Sequence, residues 1–163
     1  MTAPSIEGAI YTGEGNPALL DTATGALSRA AFTLRLEEAI ALAVRLHYPV
    51  SAVVIDLVDA ERLGEHHGPE AIDLALAAAV DRVWGAARRS DTLARVGPAR
   101  LVQLLPATDG DAALAYAARL KPVLESDAGS PRYSLAAVST DGDEQPDSVR
   151  LLDTIDGWHS SGA

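Results

Sequence analysis

Two stretches of the 163-residue chain put side chains with chemical potential where a ligand would meet them. The run VSAVVIDL, Val50 to Leu57, is almost continuously apolar and β-branched, as a central strand covered on both faces should be, and near its end it carries Asp56. A carboxylate there sits where sheet edges receive ligands. The run DTLARVGPARLVQLLP, Asp91 to Pro106, reads as two short apolar strands joined by a tight turn, with Gly97, Pro98, Ala99 and Arg100 at the tip. A tip that gripped metal or phosphate would carry carboxylates, or consecutive glycines with free N–H groups. This one offers a proline without an N–H, a methyl group and a guanidinium.

Other candidates are thinner. His66 and His67 are adjacent, so on a helical turn they diverge, and the chain has no cysteine and no H-E-x-x-H to complete a metal site. Arg95 is expected to pair with a surface acid. The acidic run Asp141 to Asp147 reads as a solvated turn with Asp147 as a helix cap. Walker A, G-x-S-x-G and G-x-G-x-x-G patterns are absent, which removes the usual footholds for other nucleotide or hydrolase chemistry.

The elements that must position these residues follow from periodicity. A lead-in over residues 1–20 has Gly and Pro punctuation but no sustained period and is expected to be flexible or loosely packed, leaving 21–163 as one domain. A helix is predicted from an N-cap at Ser28, with Phe32, Leu36, Ala39, Ile40 and Ala43 inward and Pro49 beyond its end. After the strand come a short helical turn around Ala60–Leu63 and a long helix opened by Gly68-Pro69, its buried stripe made by Ile72, Leu76, Ala79, Val80, Val83 and Ala87. The hairpin follows. Then comes a helix capped by Asp109 with Ala113, Tyr116, Ala117, Leu120 and Leu124 inward, a strand RYSLAAVS with one more solvated face, and a last helix from Ser148 to about Trp158.

A composition of 48% apolar and 22% charged residues is that of a globular chain. The net charge of −10 opposes binding of a long nucleic-acid polyanion but leaves room for a local basic patch around a small dianion. The N-terminus lacks a signal-peptide pattern and there is no run of about 18 apolar residues, so a soluble cytoplasmic protein without membrane contact is expected.

From about Leu20 to Trp158 the chain resembles the GGDEF domain of diguanylate cyclases. DTATGALSRAAF, Asp21 to Phe32, is similar to D-x-L-T-G-L-x-N-R-x-x-F, matching at Asp21, Thr24, Gly25, Arg29 and Phe32. IDLVDAERLGEHHGPEAIDLAL matches D-I-D-x-F-K-x-I-N-D-x-x-G-H-x-x-G-D-x-x-L in length and apolar pattern, and LARVGPARLVQLLP falls where the family has R-x-G-G-D-E-F and a strand ending in L-P. The resemblance implies an α+β fold of the nucleotidyl-cyclase palm type, a central mixed sheet of about five strands flanked by helices.

In that family metal ions held by carboxylates organise attack of a 3′-hydroxyl on an α-phosphate. Asp56 matches one metal ligand, but the other falls at Ala99, its acidic neighbour at Arg100, the second glycine at Pro98 and the second aspartate of D-x-D at Val58. The phosphate-side lysine becomes Glu61, a reversal that repels a triphosphate by about 1 kcal/mol even when solvated. The guanine-reading asparagine becomes Gly64, while its partner aspartate is kept as Asp73. Asp56, Asp73, Gly97 and Arg100 thus mark a remnant substrate site, with no catalytic residue, metal or cofactor expected. The residues themselves leave Asp56 hydrogen-bonded to nearby backbone and Asp73 as a first-turn helix acid.

Many members also carry an inhibitory product site, R-x-x-D, five residues before the first glycine of the signature. RRSD places Arg88 and Asp91 in that register, and an arginine contributed by the following helix matches Arg119. Arginine forks onto guanine O6 and N7 or onto a phosphate, and aspartate accepts from guanine N1–H and N2–H. The alternative for this pair is structural, an arginine at a helix C-terminus and an aspartate capping a turn. The resemblance therefore implies a catalytically inactive domain in second-messenger signalling that binds cyclic di-GMP. Two further readings are a ligand-independent module whose helical faces dimerise or dock a protein partner, and GTP binding without turnover.

Overall fold

The structure is a computed structural model, and residues 19–159 are described. The lead-in expected over 1–20 lies outside them except for Leu19 and Leu20. The order is α1 (Arg29–Leu46), β1 (Val50–Leu57), α2 (Ala60–His67), α3 (Pro69–Ala86), β2 (Thr92–Gly97), β3 (Arg100–Pro106), α4 (Gly110–Leu124), β4 (Tyr133–Ser139) and α5 (Ser148–Gly157). Polar caps start three helices where expected. The Ser28, Asp109 and Asp147 side chains accept from the backbone N–H of Ala31, Ala112 and Val149. Helix α1 closes on His47 in the left-handed conformation, φ 58°, before Pro49 prevents its continuation.

The described strands form one sheet in the order β2-β3-β1-β4, and every pairing is antiparallel. Alternation along the central strand sends Val53, Ile55 and Leu57 into a core under α3 and α4, and Val50, Ala52 and Val54 into a second core under α1 and α5. Both faces are covered, which is why VSAVVIDL carries no polar alternation.

The sheet expected as mixed and about five-stranded is thus four-stranded and antiparallel among the described residues. The only parallel pairing described is an isolated bridge between Leu27 and Ala94 at the β2 edge, where the segment before α1 runs beside the sheet for a single residue. The helical turn expected over Ala60–Leu63 is an eight-residue helix reaching His67, because Gly68 at φ +83°, and not an earlier residue, breaks it. Ala87 lies past the end of α3, in extended backbone, instead of in its buried stripe.

The hairpin places Gly97 opposite Arg100, with Pro98 and Ala99 as the tip. Proline fixes a negative φ, so the primed turn usual for a two-residue hairpin is unavailable, and a bulge between Arg95 and Gly97 takes up the twist. The tip is tied to the sheet by the Leu57 N–H, which donates to the Ala99 carbonyl at 3.0 Å.

Candidate functional site

Asp56 and Arg100 are register partners on β1 and β3, and their side chains leave the sheet on the α1/α5 face. Arg100 Nε donates to Asp56 Oδ1 at 2.6 Å and Nη2 to Oδ2 at 2.7 Å, a fork that engages both carboxylate oxygens. The remaining guanidinium donors reach the end of α5: Nη1 donates to the Ile155 carbonyl at 2.7 Å and Nη2 to the Trp158 carbonyl at 2.6 Å. These are carbonyls that a helix C-terminus leaves without intrahelical partners. The cation also lies 5.7 Å from the Trp158 ring centroid. Hydrogen bonding to Asp56 raises the Arg100 pKa against the opposing effect of burial. Arg29 makes a second fork onto α5, to Asp156 at 2.9 and 2.5 Å, and also donates to the Val96 carbonyl at 3.0 Å.

These residues do not fit a divalent cation. Both oxygens of Asp56 are taken, the group taking them is itself positive, and Ala99 has no donor atom. Asp56 is therefore held by a side chain, where sequence reasoning gave it backbone partners. No cluster of three or more His, Cys, Asp or Glu placed to hold a metal occurs among the described residues. The His66 and His67 rings are 6.4 Å apart and tilted, and His66 Nδ1 is 2.8 Å from the Arg62 carbonyl oxygen.

Asp73, expected as a first-turn acid, lies past the first turn of α3, where Glu70 is the acid, and it is engaged as well. Arg95 Nη2 lies 2.8 Å from Asp73 Oδ1, and Nη1 lies 3.4 Å from Asp21 Oδ2. The same guanidinium donates to the Gly97 and Pro98 carbonyls at 3.3 and 2.6 Å. Asp21 meanwhile accepts from the Thr24 N–H and hydroxyl, closing the turn that needs Gly25 at φ +76°. Arg95 does pair with acids, and one of them is Asp73. The space beside Gly64 is taken by Ile72: a Cβ on Gly64 would stand 3.2 Å from Ile72 Cδ1.

The RRSD segment forms a four-residue turn after α3. The Asp91 N–H donates to the Arg88 carbonyl at 3.1 Å, and Asp91 Oδ2 accepts from the Arg88 N–H at 2.8 Å. Asp91 is 9% exposed, whereas the Arg88 and Arg119 side chains face solvent. Gln103, wholly buried at the centre of β3, donates from Nε2 to Asp91 Oδ2 at 3.3 Å and accepts at Oε1 from the Tyr116 hydroxyl at 2.8 Å. Burial raises the Tyr116 pKa; the bond to Gln103 and the Arg119 charge work the other way, and the Asp91 charge adds to the rise.

The family model described as "Diguanylate cyclase, GGDEF domain" matches residues 18–134 of the chain. The chain belongs to the GGDEF family. No curated protein matches it. Among solved structures it is similar to the GGDEF domain of DgcB from Caulobacter crescentus, with 15% identity over 86% of this chain and 85% of that one and a TM-score of 0.78. It is also similar to the FimX GGDEF domain from Pseudomonas aeruginosa, at 21% identity, 83% and 87% coverage and a TM-score of 0.73. A sensory box/GGDEF family protein from Caulobacter crescentus matches at 24% identity, 85% and 94% coverage and a TM-score of 0.73. At these identities the likeness establishes the fold.

Within this GGDEF domain the sequence-predicted residues separate into two groups. Asp56 and Arg100 meet on one face of the sheet beside α5, and Arg95 gathers Asp73 and the carbonyl of Gly97 at the hairpin. Over the other face Asp91 is linked through Gln103 to Tyr116, while Arg88 and Arg119 face solvent. Gln103 was missed, although it is the one polar side chain in the run LVQLLP and a polar residue inside a central strand must find a partner. Helical spacing marks Tyr116 only as inward-facing; its hydroxyl partner is not encoded locally. A separate cavity of about 490 Å³ lies between α2 and the segment before β4, lined among others by Arg62, His66, His67 and Arg132.

Proposed function

We propose that this chain is a catalytically inactive GGDEF domain that works by recognising cyclic di-GMP at Arg88, Asp91 and Arg119. The observation that carries the inactivity is the Arg100 fork on Asp56: the retained carboxylate is neutralised by an internal cation, and no second carboxylate stands at the hairpin tip. Asp73 and Gly64 match the family's guanine-reading pair; the pairing of Asp73 with Arg95 and the packing of Ile72 beside Gly64 support a reading without GTP binding.

Support for the ligand comes from the turn itself. Arg88 and Arg119 are exposed cations in a chain of net charge −10, and the Asp91 carboxylate is fixed through Oδ2, with Oδ1 free of partners among the described residues. Such a set matches a guanine edge and a phosphate, and two arginines balance the two negative charges of the dinucleotide. The DgcB GGDEF domain, similar in fold, was solved in complex with c-di-GMP.

Calorimetric titration of the purified chain with cyclic di-GMP, beside Arg88→Ala, tests the reading. Low-micromolar binding that disappears in the variant is expected, and a flat titration of the unaltered chain overturns it. Incubation with GTP and magnesium followed by chromatography is expected to yield no cyclic product.

A second reading, docking of a protein partner, is favoured by the exposed apolar side chains on two helices: Leu34, Leu42 and Leu46 on α1, and Leu74 and Trp84 on α3. The diguanylate cyclase SiaD, similar in fold, was solved in complex with its activator SiaC.

A further inference from the structure

The Asp91 carboxylate is held from behind by a relay that crosses the core. Tyr116 on α4 donates to Gln103 Oε1 at 2.8 Å, and Gln103 Nε2 donates to Asp91 Oδ2 at 3.3 Å. The Arg88 N–H donates to the same oxygen at 2.8 Å. The amide of Gln103 has only one useful orientation. Reversed, it would turn Oε1 toward a carboxylate, two acceptors facing each other with no water between them in a site where Gln103 is 0% exposed. The Tyr116 hydroxyl secures that orientation by spending its proton on Oε1. With Oδ2 saturated by two donors, Oδ1 is the acceptor left for something arriving from solvent.

We propose that Tyr116 and Gln103 are positioning residues for ligand capture: through the hydroxyl–amide–carboxylate relay they fix the rotamer of Asp91 so that Oδ1 meets an N–H on a base edge, though neither residue touches the ligand. The inference rests on the reading of Arg88, Asp91 and Arg119 as the dinucleotide site. It adds that the site reaches 12 residues along the hairpin and into α4, so that its geometry depends on a buried glutamine.

The test uses Tyr116→Phe, which removes one oxygen and keeps the ring, and Gln103→Met, which keeps the volume and removes both polar atoms; should either unfold, the other carries the measurement. Cyclic di-GMP affinity is measured calorimetrically, and native-state hydrogen exchange is followed at the Arg88 amide and at the amides of β3. Expected are a dissociation constant raised about tenfold in both variants and Arg88 exchange faster by about tenfold, with the β3 amides changed far less. Equal acceleration across β3 and Arg88 would mark a merely structural role and overturn the positioning. So would unchanged affinity in both variants while the unaltered chain binds, which leaves the dinucleotide reading intact. Absence of binding by the unaltered chain defeats that reading, and the relay's part in capture with it.

Discussion

Arg100 and Asp56 face each other across the β1–β3 register as a two-pronged pair with side-chain exposures of 16% and 15%. That pair connects three elements, because the same guanidinium closes the C-terminal end of α5. Truncating Arg100 to Ala would strand a largely buried carboxylate and release the helix end, so urea unfolding should show a loss of about 3 kcal/mol. Replacing both members by apolar residues of similar volume should recover most of that loss, since the cost lies mainly in the unpaired charge. A loss below about 1 kcal/mol for Arg100→Ala would mean that the pair is held by its surroundings and not the reverse.

The contact between Gly64 and Ile72 gives a second, smaller measure. Alanine inside a helix is usually favoured over glycine by about 1 kcal/mol. At Gly64 the added Cβ meets Ile72 Cδ1 at 3.2 Å, so Gly64→Ala should gain clearly less than that. In an Ile72→Val background the offending methyl is gone and the usual gain should return. Equal gains in the two backgrounds, read from denaturant midpoints, would show that Ile72 gives way freely.

Most of the fold was legible because the patterns that encode it are local. Ser28, Asp109 and Asp147 cap helices because each has an oxygen within reach of a free N–H, and β1 is central because its apolar run has no solvated side. What escaped was non-local. That Arg100 would turn onto Asp56, 44 positions earlier, depends on register, and a one-residue slip would have sent the two side chains to opposite faces. Gln103 escaped for the same reason: its partners lie 12 and 13 positions away on different elements, and only the assembled core shows that they meet. The strand count was overestimated by following the resemblance, since the periodicity itself marks only four strands, those observed.

The buried Tyr133 and the half-buried Tyr116 couple stability to alkaline pH. Burial raises the pKa of Tyr116 and Tyr133 above the ordinary 10.0, so the folded chain keeps protons that the unfolded chain releases. Their contribution is complete below pH 10.0 and is lost as pH rises from there through the folded-state values. Stability measured by denaturant should therefore decline above about pH 10, and absorbance at 295 nm should show these two of the four tyrosines ionising late. Tyr133→Phe should shallow the decline. An unchanged slope in both Tyr116→Phe and Tyr133→Phe would assign it to other groups.

Arg95 joins the hairpin to α3 and to the turn before α1 through a single guanidinium 13% exposed, with Asp21, Asp73 and the carbonyls of Gly97 and Pro98 around it. A lysine carries the same charge but its three N–H donors leave a single nitrogen, so it cannot span acceptors arrayed around Nε, Nη1 and Nη2 and must leave some of them short. Arg95→Lys should therefore lose about 2 kcal/mol, close to the loss for Arg95→Ala, in thermal or urea unfolding. The two aspartates differ in exposure, 23% for Asp21 and 43% for Asp73, so Asp73→Asn should cost under about 1 kcal/mol and Asp21→Asn more, the latter also weakening the turn closed by Thr24. Full rescue by lysine would show that charge alone, and not the fork, holds the hairpin in place.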